Sequence, residues 1–259
     1  MPEVTTAYAT GTPCWVDLMT KDQQAALDFY RDLLGWQGRP GSPEFGGYAV
    51  CALRGRAVAG IGPTMAPEGV PEPPTVWTSY LSATDAQATQ EAIVAAGGTL
   101  IAPVMDVGTL GRMLVAADPQ GAVFGVWQPG EFFGAQVVNE PGALTWNELH
   151  TSDVSAATAF YGQVFGIEIE PMEGADSYWE LRVGGRGAGG VTLLANDPPN
   201  TPAHWLTYFA VDDVDSTTDA LTKRNGTVLV PPFDMMAGRM TVVTDPQGAA
   251  FAMIQPNPR

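Results

Sequence analysis

Hydrophobic and polar positions alternate in short runs along this chain, and the first such run is followed by a segment of helical periodicity. Cys14 to Met19 alternates as a strand with two different faces does. The helical segment after it has its apolar positions at Ala26, Leu27, Tyr30, Leu33 and Leu34, and Gly35 ends the helix. Short β-rich runs follow at Tyr48 to Leu53 and at Val58 to Ile61. The pattern predicts a unit of one strand, one helix and several further strands.

Two kinds of unit alternate along the chain. Trp77 begins a stretch that closes with DPQGA at Asp118 to Ala122, and Trp205 begins one that closes with DPQGA at Asp245 to Ala249. Ahead of these stretches, PCWVDLMTKDQQAALDFYRDLLGW is matched by ALTWNELHTSDVSAATAFYGQVFGI. Because both kinds of unit recur in the same order, the chain is interpreted as an internal duplication. Each of its four units is predicted to be βαβββ.

Helix ends and turns can be placed from the same residues. Asp213 stands where a helix N-cap is expected, and Asn225-Gly226 ends that helix. DPQG before the last strand is predicted to be a tight turn, because aspartate, proline and glycine each favour turn geometry.

The units are predicted to form two domains, over residues 10–129 and 144–257. The unit bounds within them are 12–65, 76–129, 144–195 and 204–256. The linker, residues 130–143, has proline and glycine at both ends, and its Phe132 and Phe133 indicate that it docks on the protein. Pro67 to Pro74 is predicted to be an exposed, extended loop.

Four motifs carry a family resemblance: FYxxxxG after a strand, a glycine-ended helix in the second unit, GRM before a strand, and DPxG before the last strand. Together they resemble the vicinal oxygen chelate superfamily of glyoxalases, extradiol dioxygenases, and fosfomycin and bleomycin resistance proteins. The resemblance covers roughly residues 12–256 and is to the tandem two-domain form found in actinomycetes. Within that form the chain is similar to mycobacterial antigen-type members and to relatives from antibiotic gene clusters. It implies an α+β fold of four βαβββ modules, paired into two glyoxalase-like domains with cupped mixed or antiparallel sheets.

Enzymes of this superfamily usually hold a divalent metal through His, Glu or Gln on the first and last strands of their modules. The resemblance places those positions at Trp15, Trp146, Thr78, Leu206, Gly125 and Ala252. None is a strong ligand, because such a site needs imidazole nitrogen or carboxylate oxygen. We therefore predict no metal and no cofactor.

Aromatic residues replace the ligands. The two-residue period of a strand puts Trp15, Asp17 and Met19 on one face. It puts Trp146, Glu148 and His150 on the matching face of the second half, and the resemblance makes both faces concave. Further rings predicted in or near the concavities are Tyr80, Trp127, Tyr208 and Trp205. Such rings suit a planar polycyclic ligand, and nearby methionines suit a bulky one; alternatively, the rings fill the sheets as ordinary core.

Polar residues on these faces give weak catalytic candidates: Glu148, His150 and Asp17. Glu148 with His150 could grip a metal or act as base and orienter, since histidine titrates near neutrality. The alternative is a polar wall without chemistry. His204, the second of two histidines, is predicted to be a loop or strand-start residue.

Arg112 and Arg239 occupy matching places after a glycine, each a few residues beyond an aspartate, Asp106 or Asp234. One interpretation is an arginine at the rim of a pocket that meets a carboxylate or quinone oxygen of a ligand. The other is an Asp–Arg pair that fixes the loop before the strand.

Composition narrows the partners. The net charge is −16, from 12 basic and 28 acidic residues, so a nucleic-acid partner is not expected. The acidity serves solubility or attracts a cationic ligand. No leader or membrane-length apolar run is present, so a cytoplasmic location is predicted and no membrane partner. Cys14 and Cys51 are predicted to be buried free thiols, and GxGxxG after a strand, GxxxxGK[ST], GxSxG and CxxC are absent.

These observations favour metal-independent binding of a planar aromatic small molecule, and the acidity of the chain allows a cationic one. An antibiotic or polyketide-type metabolite would be held for sequestration, resistance or delivery to a biosynthetic enzyme. One alternative is a lyase, isomerase or oxygenase-like enzyme with a site around Glu148 and His150. Another is a partner or signalling protein that acts through its surface and has vestigial cavities. A homodimer is compatible with each.

Overall fold

The computed structural model describes residues 3–64 and 73–257. The first half contains β1 (Pro13–Thr20), α1 (Gln23–Leu34), β2 (Ala49–Leu53), β3 (Arg56–Pro63), β4 (Val76–Ser82), α2 (Ala86–Ala95), β5 (Thr99–Val107), β6 (Gly111–Ala117) and β7 (Val123–Pro129). The second half contains β8 (Leu144–Thr151), α3 (Val154–Phe165), β9 (Glu168–Pro171), β10 (Tyr178–Val183), β11 (Arg186–Leu193), β12 (His204–Ala210), α4 (Val214–Thr222), β13 (Thr227–Met235), β14 (Gly238–Thr244) and β15 (Ala250–Pro256). Short 3₁₀ turns occur at Pro43–Phe45 and Leu194–Asn196. Most of the loop predicted at Pro67 to Pro74 lies outside the described residues.

The first unit departs from the predicted βαβββ order. Between α1 and β2 a single bridge joins Gln37 to Ala52 where the other units have a strand. Prolines and glycines crowd residues 38–47, and proline has no backbone N–H to give to a ladder. Within residues 3–64 this unit therefore has three named strands.

Each half of the chain builds one sheet. The first is seven-stranded, in the order β2-β3-β1-β4-β7-β6-β5, and the second is eight-stranded, in the order β13-β14-β15-β12-β8-β11-β10-β9. At the centres, β1 pairs antiparallel with β4, and β8 pairs antiparallel with β12. The units therefore pair in sequence order, and the helices cover one face of each sheet. We call the helix-free face of the seven-stranded sheet the first cup and that of the eight-stranded sheet the second cup.

The helices begin and end where the sequence indicates. Asp22, Asp85, Asp153 and Asp213 are the N-caps, each accepting a hydrogen bond from a first-turn N–H. Gly35 and Gly166 end their helices in the left-handed conformation that glycine adopts without strain.

Two hydrophobic cores run across the halves. One joins the first unit to the fourth, with Leu27 and Trp36 in the same cluster as Phe209 and Phe251. The other joins the second unit to the third, with Phe124 packed on Phe160 at 6.1 Å between ring centroids. Because each core contains residues of both halves, neither half encloses its apolar surface alone.

The repeated FY and DPQG motifs meet in these cores. Trp77 Nε1 donates to the Tyr30 hydroxyl at 3.0 Å, and that hydroxyl donates to Asp245 Oδ2 at 3.2 Å. In the other core Trp205 Nε1 donates to Tyr161 at 3.0 Å, and Tyr161 donates to Asp118 Oδ2 at 3.1 Å. The motifs thus fasten one half to the other. The predicted place of Trp205 near a concavity is wrong, because its strand position points it at helix α3.

The linker docks as its aromatic residues indicate. Phe132 packs against Trp15 and Trp127, and Trp36 Nε1 donates to the Gly142 carbonyl at 2.6 Å.

Cys14 and Cys51 are buried free thiols, and burial raises the pKa of Cys51 to about 12. Among the described residues no helix is long and apolar enough to cross a membrane.

Candidate functional site

A hydrogen-bonded group of tryptophan, two tyrosines and a carboxylate forms the floor of the first cup. Trp15 Nε1 donates to the Tyr48 hydroxyl at 2.8 Å. Tyr48 and Tyr80 both donate to Asp17 Oδ2, at 3.1 and 3.0 Å. Met19 and Tyr48 both lie beside Gly62, so Met19 also belongs to this face. Strand β1 supplies three of these side chains because every second residue points into the cup.

Asp17 is a buried acid, and no basic side chain among the described residues pairs with it. Burial raises its pKa to about 7, against the opposing effect of the hydrogen bonds from Tyr80 and Tyr48. Its Oδ1 atom has no hydrogen-bond partner. Near neutral pH this carboxyl group is therefore divided between its neutral and charged forms.

The linker closes the first cup. The Phe132 ring meets Trp15 edge-on at 4.9 Å and Trp127 edge-on at 5.9 Å, and Trp127 Nε1 donates to the Phe132 carbonyl at 2.8 Å. Trp15 is 4% exposed and Trp127 7%. Here the aromatic residues pack as core, the alternative left open from the sequence.

The same group is repeated in the second cup. Trp146 Nε1 donates to the Tyr178 hydroxyl at 3.0 Å, and Tyr208 donates to Glu148 Oε1 at 2.8 Å. Tyr178 also hydrogen-bonds Glu148. Trp146 is half-buried, whereas Trp15 is buried. Ile254 stands at the end of β15 in the place that Trp127 takes on β7.

Glu148 differs from Asp17 in having a basic partner. His150 Nε2 lies 2.9 Å from Glu148 Oε1, and its Nδ1 lies 2.7 Å from Asp197 Oδ2. Burial opposes the charge of Glu148, but the hydrogen bond and charge of His150 outweigh it and lower the pKa of that carboxyl group. Burial likewise opposes the charge of His150, and the two carboxylates outweigh it and raise its pKa. In the second cup the imidazole of His150 therefore lies between two carboxylates that favour its protonated form.

The sequence predicts His204 as a loop or strand-start residue, and it is the first residue of β12. Its ring stacks on His150 at 4.4 Å between centroids and 24° between planes. Burial and the charge of His150 lower the pKa of His204. Sequence reasoning missed this contact, as it missed Tyr48, Tyr178 and Asp197.

Both rim arginines are held by aspartates. Arg112 Nε bonds Asp106 Oδ1 at 2.9 Å, and Arg239 Nη1 bonds Asp234 Oδ1 at 3.0 Å. Arg239 also takes both oxygens of Asp215 on α4, at 2.9 and 3.0 Å. These contacts are the Asp–Arg pairs of one interpretation made from the sequence, and contact of the two arginines with a ligand stays a prediction.

The positions that the resemblance assigns to metal ligands are filled. The indole N–H groups of Trp15 and Trp146 donate to tyrosine hydroxyls. Gly125 lies opposite Tyr80, and a Cβ atom there would overlap the Tyr80 ring. Leu206 and Ala252 belong to the apolar cluster of the second cup. None of these side chains offers imidazole nitrogen or carboxylate oxygen, so these positions do not fit the family's metal.

Comparisons with known proteins agree with this architecture. The model of the Glyoxalase/Bleomycin resistance protein/Dioxygenase superfamily matches residues 13–126 and 143–253. "Putative glyoxylase CFP32" of Mycobacterium tuberculosis (strain CDC 1551 / Oshkosh) is 42% identical over 97% of each chain. "Anthracycline biosynthesis protein DnrV" of Streptomyces peucetius is 36% identical over 96% of this chain and 95% of its own. The crystal structure of the Mn(II)-bound glyoxalase from Novosphingobium aromaticivorans is similar with a TM-score of 0.65 and 17% identity, covering 95% of this chain and 83% of that chain.

Proposed function

The chain belongs to the Glyoxalase/Bleomycin resistance protein/Dioxygenase superfamily, and from this premise we propose that it binds a planar aromatic small molecule in its second cup. Binding does not use a metal at the family's positions. The ligand class is an antibiotic or a polyketide-type metabolite, a choice supported by the 36% identical relative named for anthracycline biosynthesis. The role that fits is sequestration, resistance or delivery to a biosynthetic enzyme.

One observation carries the proposal: the second cup presents an aromatic surface that the first cup has covered. Trp146 is half-buried against the apolar cluster of that cup, and its indole N–H is already bonded to Tyr178, so the exposed part of the residue offers apolar surface to a flat ligand. Offset or edge-on contact with such a ligand is worth about 0.5–1.5 kcal/mol per ring pair beyond the area buried.

Charge adds a preference to this surface. Glu148 shares Tyr178 with Trp146, the carboxylates of Glu148 and Asp197 both contact His150 farther along the strand, and the whole chain carries a net charge of −16. A positively charged group on the ligand, such as an amino sugar, would be attracted over a distance set by the ionic strength. His150 offsets part of this field, so the aromatic plane is the main determinant and the cation the minor one.

The test is a titration with a planar quinone, one analogue bearing an amine and one neutral, followed by tryptophan fluorescence. We expect saturable binding that weakens at least about 10-fold in Trp146→Ala, from the loss of ring contact and buried area. Trp146→Phe should retain part of the affinity. Trp179→Phe is the matched control, because Trp179 adjoins Tyr178 on β10 but packs against the opposite, helix-covered core.

Equal affinity of Trp146→Ala and the parent protein would remove the second cup as the site. Absence of quenching by every planar ligand tried would leave the surface-partner alternative as the better account. Affinities of the amine-bearing and neutral analogues that do not respond to salt would remove the cationic preference alone.

A second candidate function rests on His150. An imidazole held between two carboxylates, at 2.9 and 2.7 Å, has its pKa raised by them and is placed to act as a general acid. A lyase, isomerase or oxygenase-like member would use it to move a proton at a ligand lying against Trp146. Turnover that falls at least about 100-fold in Glu148→Gln, with ligand affinity retained, would favour the enzyme over the binding protein.

A further inference from the structure

Two imidazoles and a carboxylate meet where β8 ends and β12 begins. His150 and His204 are directly opposite each other in the antiparallel pair, and Asp197 reaches His150 from the connection between β11 and β12. One ligand atom from each of the three lies within 4.8 Å of the others. We infer that His150, Asp197 and His204 form a binding site for a divalent transition-metal ion of the Zn²⁺ kind. The site goes beyond the proposed ligand binding and does not depend on it.

The outer partners of both rings are those of metal-binding histidines. A carboxylate cannot donate, so His150 Nε2 donates to Glu148 Oε1 at 2.9 Å. The Pro202 carbonyl cannot donate either, so His204 Nδ1 donates to it at 2.9 Å. These bonds leave His150 Nδ1 and His204 Nε2 as the atoms available to a metal. A second-sphere carboxylate or carbonyl on the other ring nitrogen is the usual companion of a metal-bound histidine.

The hydrogen bond between His150 and Asp197 uses the two atoms that a metal ion would bind. Asp197 Oδ2 and His150 Nδ1 are 2.7 Å apart, so one proton lies between the two atoms that would bind the ion. The rings are nearly parallel, and a metal that lies in both ring planes requires His204 to turn out of the stack. His204 is only half-buried, so one side of its ring meets solvent, and the turn requires the Nδ1 bond to the Pro202 carbonyl to be re-formed in the new orientation. The donor set of two imidazoles and one carboxylate suits Zn²⁺, Co²⁺ or Ni²⁺ rather than Mg²⁺ or Ca²⁺.

This site is distinct from the family's metal positions. Trp146 is four residues before His150 on the same strand, which is about 13 Å of extended chain. In the described part of the first half the equivalent facing pair is Met19 and Val76, which offers no imidazole. Three protein ligands leave a fourth position for water or for an oxygen of a bound molecule.

Cobalt provides the test, because Co²⁺ bound to nitrogen and oxygen donors absorbs visible light. The full chain is treated with a chelator, titrated with Co²⁺, and then challenged with Zn²⁺ and with Mg²⁺. We expect one equivalent of Co²⁺ to bind, Zn²⁺ to displace it and Mg²⁺ to leave it in place. His204→Ala and Asp197→Asn should each weaken binding at least about 10-fold, and Glu148→Gln, which alters only the outer partner, by about 10- to 100-fold.

Asp212→Asn is the matched control, since Asp212 is an exposed carboxylate outside the cluster. It removes the same charge as Asp197→Asn and should leave Co²⁺ affinity unchanged. Urea denaturation of each variant without metal confirms that it folds. The inference is overturned if the parent protein gives no Co²⁺ spectrum, or if His204→Ala and Asp197→Asn bind as tightly as Asp212→Asn, which would mean that the acidic surface collects the ion. Quinone titration of metal-free protein tests the proposed function separately.

Discussion

The two cups have the same floor and differ in what balances the acid on it. Each has a tryptophan bonded to a tyrosine, and a carboxylate that accepts from two tyrosines. In the first cup no cation of the described part of the chain contributes to the pKa of Asp17, and Met19 follows two residues later on the strand. In the second, Glu148 has His150 in the position equivalent to Met19. The residue two positions after the acid is Met19 in one strand and His150 in the other. His150 contributes to the lowered pKa of Glu148, whereas the pKa of Asp17 is raised.

Closure is the second difference between the cups. The linker places Phe132 over Trp15 and Trp127, while Trp146 in the second cup stays half-buried. Apolar burial and aromatic contact stabilise the first cup at the expense of an open surface. The two cups of the duplicated chain therefore differ in role: the closed first cup contributes to stability, and the second cup is the candidate site.

The largest effect is expected from Asp17→Asn. The pKa of Asp17 rises from 3.8 in the unfolded chain to about 7 in the folded one. Between these two pKa values the folded state keeps the proton while the unfolded chain releases it. The free energy of unfolding is therefore highest below pH 3.8 and falls as the pH rises to about 7. At about 1.4 kcal/mol per pKa unit, the loss approaches ~4 kcal/mol. Asn cannot ionise, so urea denaturation above pH 7 should show the variant more stable than the parent, with the gain vanishing toward pH 4.

Glu148→Gln is the matched change in the second cup and should act in the opposite direction. Glutamine keeps the shape of the side chain but leaves His150 without one of its two carboxylate partners, which should lower the free energy of unfolding by about 1–3 kcal/mol at neutral pH.

Parallel stability curves for Asp17→Asn and the parent between pH 4 and 8 would contradict the contrast between the cups, since they would mean that Asp17 ionises as an exposed acid does.

A smaller effect is expected from opening the first cup. Phe132→Ala removes two edge-on ring contacts and should cost about 2 kcal/mol. It should also raise the acrylamide quenching of tryptophan fluorescence and add a second, weaker equivalent of planar ligand. Phe133→Ala is the control, because Phe133 lies outside the aromatic cluster of that cup. Unchanged quenching in Phe132→Ala would show that Phe132 does not close the first cup.

Much of the fold could be predicted from the sequence because its signals are local. Gly35 and Asp213 end and begin helices through contacts within one turn, and strand alternation assigns Trp146 and Glu148 to one face. The βαβββ order predicted for every unit does not hold in the first, where a single bridge at Gln37 stands in place of one strand, because proline and glycine crowd that segment. Local pattern thus defined the units and missed one irregular exception.

The candidate site could be predicted only in part because its polar contacts are distant in sequence. Asp197 is 47 residues from His150, and nothing local marks it as a partner. The stack of His204 on His150 follows from strand register, which pattern alone does not specify across a long connection. Only the residues on β8 itself could be assigned to one face in advance.

The smallest difference is expected on the helix-covered faces, where the halves remain alike. Tyr30→Phe and Tyr161→Phe each remove a hydroxyl that accepts from a buried tryptophan and donates to the aspartate of DPQG in the other half. Each change should cost about 1 kcal/mol in urea denaturation, and the two costs should agree, because the partner types are the same and the distances differ by no more than 0.1 Å between the cores. A large inequality between them would mean that the cores have diverged as the cups have, and that the asymmetry of this chain is general. Equal costs would confine the divergence to the helix-free faces, where Asp17 lacks a cation and Glu148 has one.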